Sequence, residues 1–470
     1  MTAMIAAIAE APGGPAVLET TSTPKPEPGP GEVRIRVEAA AVNFSDVMRR
    51  RASPYPFPTT FPYVPGAEVA GVIDAHGPGV TEPALGTPVF AVVGQGGEGG
   101  YAQYALTGAS RAFPIPPGIE PEVAAGLVIA GVTAVAMLRE VARLQPGETV
   151  LVPAAAGGVG SLLVQVARVL EAGRIIALAS NEEKRATARA LGADVALDPA
   201  DPHLADQVRE AAPEGIDVLF EMEGGTALDQ RLGWLAPFGR AVVYGAAGSE
   251  PRRLSGQTLD SWLSTPALNQ SVIAFNLGGL FGGRPAWAGA ATQALIGWVL
   301  DGRVAVPVGH VLPLARAAEA HELLESRRST GKIVLDPWPQ EDPRTVAEAR
   351  GYRFELSHGG GVLAFRWTAD TADLTTDGFQ RALEHYASIA ERYRPRGLLV
   401  DVAQLRFPGP PPAEGWREAA ILPRYVAAGA LRMAYVGVSE AEASPRRYGT
   451  FEEQRHAHEA DALAWLQEVA

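Results

Sequence analysis

The chain has 470 residues, which is long enough for two or three domains, and 47% of them are hydrophobic, as in globular proteins. Its formal net charge of −13 comes without a long basic run, so the surface lacks the positive charge that a nucleic-acid partner requires. The chain contains no cysteine, which excludes disulfides and thiolate metal ligands and is consistent with a cytoplasmic location. No apolar run of about 18 residues predicts a membrane span.

Two folding patterns follow each other in the first part of the chain. Up to about residue 120, short β-type runs such as EVRIRVEAAAVN alternate with turns rich in glycine and proline, which predicts a small β domain. From about Val123, strand and helix patterns alternate, as in TVLVPA, SLLVQVARVLEAG and RIIALAS. This alternation predicts an α/β domain built on a doubly wound parallel sheet.

The remaining chain predicts a linker and a further domain. The segment from Leu335 to Gly351 is dense in proline and charge, as linkers are. From Tyr352 to Ala470 the pattern predicts two strands, a helix, a strand, a helix, a strand and a final helix. This order indicates a separate, smaller α/β domain.

A glycine-rich turn stands between the first strand and the first helix of the alternating region. Ala154, Gly157 and Gly160, with Gly158 and Val159 between them, form the pattern A-x-x-G-x-x-G. Glycine permits a tight turn and lets backbone amides and the helix N-terminus approach a pyrophosphate, so the pattern indicates a dinucleotide site. The alternative is a strand-to-helix connection without a ligand.

The residues that follow the second strand indicate which dinucleotide is bound. An NAD site carries an acid about 20 residues beyond the glycine turn, where it holds the ribose 2′-hydroxyl. This chain has Ser180 there and Lys184 one helical turn later, and both suit a 2′-phosphate. We therefore predict NADPH. The alternative is that Ser180 and Glu183 form a capping box and that Lys184 is a solvated helix residue.

Together with these residues, seven motifs in the same order resemble one known family. They are AAVNFSD, VPGAEVAGVI, AGVTAVAML, AAAGGVG, ALGAD, GRAVVYGAAG and STGKIVL. The chain resembles the zinc-independent quinone oxidoreductase (zeta-crystallin-like) branch of the medium-chain dehydrogenase/reductase family over roughly residues 1–337. The resemblance implies a GroES-like catalytic domain (1–121 and 270–337), a Rossmann NADP-binding domain (122–269) and a homodimer.

Two positions indicate that the catalytic zinc of other family members is absent. Zinc-using relatives carry a cysteine near the position of Ser45 and a histidine at the position of Ala67. Zinc needs three protein ligands and an open position, so no metal site is expected. The implied reaction is hydride transfer from NADPH to a quinone or an α,β-unsaturated carbonyl, in which the protein supplies orientation and electrostatics.

The resemblance also implies where several residues act. Asn43 is expected near the nicotinamide and the substrate, with Asp46 behind it and Thr133 on the cofactor side. Tyr55 is the candidate for the hydrogen bond to the substrate carbonyl, or for the proton that an enolate takes up. Packing within its proline-rich loop is an equal alternative for Tyr55. Some relatives carry another tyrosine where this chain has Met48, which weakens inference about the substrate.

Further cofactor contacts are implied for Gly245, Phe275 and Asn276, and more weakly for Lys332 at the adenosine phosphate. Each of them could instead be a packing residue. The run Arg49, Arg50 and Arg51 is expected to form a solvated basic face, with attraction of an anionic cofactor as the alternative.

The C-terminal segment, residues 352–470 after a linker at 338–351, is similar to STAS-like domains, the anti-sigma-factor-antagonist fold. Phosphorylated members carry an Asp-Ser pair where this chain has RFPGPPPAEGW, which offers no hydroxyl. We expect a module that binds a protein or a small molecule, or one that only stabilises a dimer, and we expect the reductase not to need it. The alternative function is an NADPH-sensing regulatory protein that signals through this domain.

Overall fold

A computed structural model describes residues 2–245, 255–264, 268–338, 343–357, 361–438 and 445–469. By internal packing the chain divides into two compact units. The first contains residues 1–308 and 318–334, and the second contains residues 309–317 and 335–470. The chain therefore contributes to the second unit twice, first with a short segment and later with its C-terminal part.

The β domain of the first unit begins with an antiparallel hairpin of strands Ala3–Ala9 and Leu18–Pro24. Its main sheet has the strand order Val308–Pro313, Lys332–Asp336, Glu32–Val42, Glu68–His76, Pro88–Val92 and Ala112–Pro114, and Tyr104–Gly108 also pairs with Glu32–Val42. Alternate residues of the long strand, Val33, Ile35 and Val37, are fully buried. The helix Phe44–Arg50 follows that strand after one residue, so the strand fixes where the helix starts.

The predicted doubly wound parallel sheet is confirmed. Six parallel strands lie in the order Val195–Leu197, Arg174–Leu178, Thr149–Val152, Ile216–Glu221, Leu235–Val243 and Ser271–Ala274. In chain order this is 3-2-1-4-5-6, the order of a Rossmann sheet. The sixth strand completes this sheet, so the sheet extends just beyond residue 269, the predicted limit of the Rossmann domain.

The helices of the first unit flank these sheets. They are Pro121–Ala124, Thr133–Ala136, Gly158–Val169, Glu182–Ala190, Leu204–Ala211, Gly225–Leu232, Gly256–Ser264, Leu277–Gly283, Pro285–Leu300 and Ala317–Glu325, with π-helical turns at Leu127–Val132 and Met137–Val141. In Gly158–Val169, the stripe of Leu162, Leu163 and Val166 is fully buried, which is why this helix packs on the sheet.

The second unit is a separate mixed sheet with helices. Its strand order is Arg344–Ala349, Tyr352–Ser357, Val362–Trp367, Gly397–Asp401, Arg432–Val436, Phe451–Arg455 and Arg446–Tyr448. Its helices are Thr376–Tyr393, Trp416–Ala420, Leu422–Ala428 and Glu459–Gln467. Within the described ranges, no helix of either unit is both long and apolar enough to span a lipid bilayer.

The second unit starts earlier than the sequence predicts. The strand Arg344–Ala349 lies inside the predicted linker at 338–351, where it pairs with Tyr352–Ser357, and residues 339–342 of that linker lie outside the described residues. The hairpin of Arg446–Tyr448 and Phe451–Arg455 is also missing from the prediction. These three strands are polar and lie at the two ends of the sheet, so they lack the apolar pattern of a buried strand.

The segment 309–317 is grouped with the second unit, although its strand Val308–Pro313 lies next to Lys332–Asp336 in the main sheet, where the prediction of a GroES-like domain places it. His310 Nδ1–H donates to the backbone oxygen of Glu391 at 3.2 Å, and Arg316 Nη1 donates to that of Arg394 at 2.5 Å. Both acceptors lie at the end of the helix Thr376–Tyr393. The boundary between the two units is therefore crossed by the chain more than once.

We predict that a chain that ends at Trp338 unfolds at a lower temperature than the first unit of the full chain. The truncation removes the acceptors of His310 and Arg316, and each lost hydrogen bond costs about 1 kcal/mol. Calorimetry of the two proteins measures the difference, with full-length Arg316→Met as a milder variant that lowers the transition in the same direction. Equal transition temperatures would show that the second unit is fully separable.

Candidate functional site

One cleft in the first unit, of about 2200 Å³, collects almost all the residues that the sequence singles out. The predicted residues that line it are Asn43, Tyr55, Thr133, Ala154, Gly157, Gly158, Val159, Gly160, Ser180, Lys184, Gly245, Phe275, Asn276 and Lys332. Of the predicted site, Asp46 alone does not line this cleft. The fold therefore brings the predicted segments together in one cleft, although several side chains have roles that differ from those predicted.

The glycine turn has the geometry of a phosphate cradle. Ala154 lies in the left-handed region at φ 46°, and its carbonyl accepts a hydrogen bond from the Gly157 amide at 2.8 Å. A Cβ atom at Gly160 would lie 2.2 Å from the Ala154 oxygen, so only glycine lets the helix start this close to the turn. Gly158 and Val159 line the cleft in the first turn of the helix, where backbone amides have no acceptor within the helix and can bind an anion.

Ser180 and Lys184 both line the cleft, as predicted for a phosphate site. The helix cap is Asn181, whose side-chain oxygen accepts from the Lys184 amide, so the alternative capping box of Ser180 and Glu183 is wrong. Ser180 is exposed, whereas Lys184 is buried and its ammonium donates to the backbone oxygen of Arg327. Burial lowers the pKa of Lys184.

Arg327 is a cleft residue that sequence reasoning missed. Its backbone oxygen holds Lys184, and its guanidinium, 63% exposed, lies 3.8 Å from Glu223. It follows the helix Ala317–Glu325, 143 residues from Lys184, so no local pattern could connect the two. The structure thus adds a further basic residue to the lining of the cleft.

Asn43 is held on every polar side by the protein. Its Oδ1 accepts from Lys332 Nζ at 2.8 Å, and its Nδ2 donates to Glu68 Oε1 at 3.0 Å and to the Ala41 oxygen at 3.4 Å. Lys332 and Glu68 form an ion pair of 3.0 Å in which both side chains are at most 3% exposed. The second oxygen of Glu68 accepts from the Ile129 amide at 2.7 Å.

The expectation that Lys332 binds the adenosine phosphate is therefore wrong. Its three ammonium hydrogens point to Val42 O, Asn43 Oδ1 and Glu68 Oε1, and its stem packs 3.0 Å from the position of a Cβ at Gly158. A buried carboxylate such as Glu68 requires a cation beside it, and Lys332 is that cation. Lys332 thus orients Asn43 instead of binding a phosphate.

Asp46 was expected behind Asn43, and there it has no access to the cleft. Its carboxylate accepts from the amides of Asn43 at 2.8 Å and Gly66 at 3.3 Å and from the Tyr101 hydroxyl at 3.3 Å. Burial raises the pKa of Asp46 to about 6, against the opposing effects of the two amides and Lys332. Because Asp46 is fully buried, its catalytic assignment is wrong, and it positions the backbone of Asn43.

The arginine run is largely internal, which corrects the expected basic face. Arg49 is 3% exposed and Arg50 is fully buried, whereas Arg51 is exposed and pairs with Glu325. Arg50 donates to His321 Nδ1 at 2.9 Å, and His321 Nε2 lies 3.1 Å from the Tyr101 hydroxyl. Burial and the charge of Arg50 lower the pKa of His321 to about 3, so its ring is neutral and donates from Nε2.

Tyr55 lines the cleft next to Ser45 and Arg49. Burial and the charge of Asp46 raise the pKa of the Tyr55 phenol, while Ser45 and Arg49 oppose the shift. The phenol is therefore protonated at neutral pH and can donate a hydrogen bond. The Ser45 hydroxyl faces it, is shielded from solvent and makes no hydrogen bond of normal length and angle with any described residue.

The other predicted contacts surround the cleft as small or capping groups. Asn276 Oδ1 accepts from the Gly279 amide at 3.1 Å and so caps the helix Leu277–Gly283. A Cβ at Gly245 would lie 2.7 Å from Met222 Cβ, and Thr133 is 6% exposed. Within the described part of the chain, no three His, Cys, Asp or Glu side chains are grouped as metal ligands.

Comparison with known proteins gives two family models and many relatives. The model described as alcohol dehydrogenase GroES-like domain matches residues 29–117, and that described as zinc-binding dehydrogenase matches residues 158–277. A 2-haloacrylate reductase from Burkholderia sp is 32% identical over 64% of this chain and 89% of its own length. The human synaptic vesicle membrane protein VAT-1 homolog is 30% identical over 65% of this chain and 78% of its own length.

A solved structure is also similar to this chain. The quinone oxidoreductase from Thermus thermophilus, solved alone and in complex with NADPH, is 34% identical and superposes with a TM-score of 0.61. The match covers 71% of this chain and all of that protein.

We predict that Lys332→Met lowers the free energy of unfolding by about 3 to 5 kcal/mol, because it leaves the charge of Glu68 buried without its partner. Denaturant titration measures the loss. The double variant Lys332→Met with Glu68→Leu should recover most of it, since it removes both charges. A single variant as stable as the unmodified protein would show that the pair does not hold the site together.

Proposed function

Because the chain belongs to the medium-chain dehydrogenase/reductase family, over the two thirds of its length that match reductases such as quinone oxidoreductase, we propose that it is an NADPH-dependent, zinc-independent oxidoreductase that transfers a hydride to a quinone or an α,β-unsaturated carbonyl. The observation that carries the proposal is the cleft that joins the glycine turn, the Ser180 and Lys184 pair, and Tyr55. The 2-haloacrylate reductase and the NADPH complex of the Thermus enzyme are consistent with it.

The residues of the cleft fit NADPH. The amides of Gly158 and Val159 would bind its pyrophosphate at the helix start, where a side chain at Gly160 could not be accommodated. Ser180, Lys184 and Arg327, which all line the cleft, would hold the 2′-phosphate. A carboxylate at the position of Ser180 would repel that group, and none is present there.

When bound, NADPH supplies a hydride, and the acceptor gains two electrons and one hydrogen. The Asn43 amide is fully bonded to Lys332, Glu68 and Ala41, so it gives the acceptor a fixed surface and exchanges no proton with it. Asn43 acts by position, and its backbone is fixed in turn by Asp46. The chain contains no cysteine, and no metal ligand set stands at Ser45 and Ala67.

Tyr55 completes the reaction. Reduction at the β-carbon of an enone leaves negative charge on the carbonyl oxygen, and the neutral Tyr55 phenol can donate a hydrogen bond or a proton to it. The tyrosinate left by proton transfer has Ser45 and Arg49 beside it, and both stabilise the charged form. Water then returns the proton, so the phenol is regenerated for the next cycle.

Turnover by the purified full chain tests the function directly. With NADPH and a metal chelator present, we expect NADPH oxidation with benzoquinone, with cyclohexenone or with 2-chloroacrylate, and conversion of the acceptor to its reduced product. Tight binding of NADPH without reduction of any acceptor in a wider panel would instead favour the cofactor-sensing alternative. Activity that disappears on chelation and returns with zinc would overturn the metal-free mechanism.

We also propose a homodimer, a cytoplasmic location and a STAS-like identity for residues 352–470. The strand Ser271–Ala274 ends the parallel sheet, and the exposed side chains of Phe238 and Leu268 lie beside it, where the Phe238 amide donates to the Leu268 oxygen. A sheet end with exposed apolar side chains suits a second copy. Sedimentation of the full chain and of the chain ending at Trp338 tests the homodimer. Monomers in both would contradict the homodimer.

We predict that Lys184→Ala weakens NADPH binding at least about tenfold and leaves NADH binding nearly unchanged, because a charge-assisted hydrogen bond to the 2′-phosphate is lost. Fluorescence titration with both cofactors measures the selectivity. Arg189→Ala, an exposed change on the same helix, is the matched control. An equal loss for both cofactors would show that Lys184 only holds the Arg327 backbone.

We predict that Tyr55→Phe lowers kcat for an enone about 100-fold while the Kd of NADPH is unchanged, because the ring remains and only the donor is lost. Tyr63→Phe is the control: the Tyr63 hydroxyl is buried, outside the cleft, and bonded to no described residue. Steady-state kinetics and cofactor titration measure both variants. A Tyr55→Phe protein with unchanged kcat would make Tyr55 a packing residue.

A further inference from the structure

Arg49 joins two loops of the first unit around one guanidinium group. Its side chain is 3% exposed, so these bonds are formed away from water. The group donates to the oxygens of Gly96 at 2.7 Å, Gly97 at 2.8 Å and Pro58 at 3.3 Å, to Glu98 Oε2 at 2.9 Å and to Thr59 Oγ1 at 3.1 Å. Arg49 thereby uses the donors of all three guanidinium nitrogens.

Both loops line the cleft. Residues 53–57 of the first loop and 95–97 of the second are cleft residues, and we call them the substrate slot. The loops are in contact at Gly96, where a Cβ would lie 2.9 Å from Glu98 Oε2, 3.3 Å from Phe57 Cβ and 3.6 Å from Arg49 Nη2. The second loop is also held by Glu98, which accepts from the amides of Gln95 and Gly96. The spacing of the slot is therefore set by Arg49 and its acceptors.

The two loops of the slot differ in chemistry. One loop carries the rings of Tyr55 and Phe57, whose centroids are 6.1 Å apart, with the Arg49 guanidinium 5.8 Å from the Tyr55 ring. The other loop offers the backbone of Gly96 and Gly97, which have no side chains. Gly97 lies at φ 79°, where other residues are strained. Aromatic faces and bare backbone suit a flat conjugated molecule.

We propose, on the basis of the function proposed above, that Arg49 is a positioning residue that fixes the width of the substrate slot, so that the enzyme selects planar conjugated acceptors against those with bulk above the ring plane. The acceptor class is then a flat quinone or enone ring. Arg49 acts through the two loops and does not itself touch the acceptor.

Lysine cannot replace this arginine. The acceptors of Arg49 lie around a planar fork, whereas an ammonium group is a compact point charge with three donors on a flexible stem. Arg49→Lys keeps the charge but cannot hold both loops, so it should behave like Arg49→Met in selectivity. This separates positioning from simple charge.

The test compares two acceptors with the full chain. The measured quantity is the ratio of kcat/KM for naphthoquinone, which is flat, to that for tert-butylbenzoquinone, which carries bulk above the ring. We expect Arg49→Met and Arg49→Lys to lower this ratio about tenfold relative to the unmodified protein, mainly through the KM of the bulky quinone, with unchanged NADPH affinity. Arg209→Met removes an exposed arginine outside the cleft and should leave the ratio unchanged.

Gly96→Ala provides an independent variant if the Arg49 variants do not fold. Its methyl carbon would lie 2.9 Å from Glu98 Oε2, which accepts from Arg49, so the second loop must shift and the ratio should fall as in the Arg49 variants. If Arg49→Met folds and its ratio equals that of the unmodified protein, the proposed role of Arg49 is overturned while the proposed function stands. If the Arg49 variants do not fold, an unchanged ratio in Gly96→Ala overturns that role in the same way. An unmodified protein that oxidises NADPH with neither quinone, nor with any acceptor, would overturn the proposed function and this inference together.

Discussion

A buried ion pair between Lys332 and Glu68 is the constraint on which the site depends. It joins a strand near the end of the first unit to the strand Glu68–His76, and through Glu68 Oε2 it also holds the Ile129 amide at a π-helical turn. Two charges that are at most 3% exposed are stable only when both partners and their hydrogen bonds are in place. The pair therefore forces three distant segments into one arrangement, with Asn43 clamped between them at the wall of the cleft.

The helix Phe44–Arg50, which begins after Asn43, contacts three further parts of the first unit. Asp46 fixes the Asn43 backbone and connects through Tyr101 to neutral His321, Arg49 fixes the two loops of the slot, and Arg50 bonds His321. This helix of seven residues therefore positions both Asn43 and the two loops of the slot. Asp46, Arg49 and Arg50 are paired inside the protein, and Tyr55 remains as a protonated donor facing the cleft.

The fold of the first unit and the glycine turn could be predicted because their signals are local. The turn, its strand and its buried helical stripe lie within about 20 residues, and alternating strands and helices specify a parallel sheet. The roles of Lys332, Asp46 and Arg49 could not be predicted, since each depends on partners that only folding brings near: Lys332 meets Asn43 across 289 residues. Polarity also misled the reading of the arginine run, because buried arginines look like surface ones in a sequence. The polar strands at the ends of the second unit's sheet were not predicted, because they lack the apolar pattern of a buried strand.

Isotope transfer tests the central claim, direct transfer of a hydride from NADPH to the acceptor in the cleft. Cyclohexenone would be reduced with NADPH that carries deuterium at one or the other face of nicotinamide carbon 4, and the saturated product would be analysed by NMR. The account predicts deuterium at the β-carbon from only one of the two labelled cofactors, with the hydrogen at the α-carbon drawn from solvent. A β-carbon that takes its hydrogen from solvent with both labelled cofactors would contradict it.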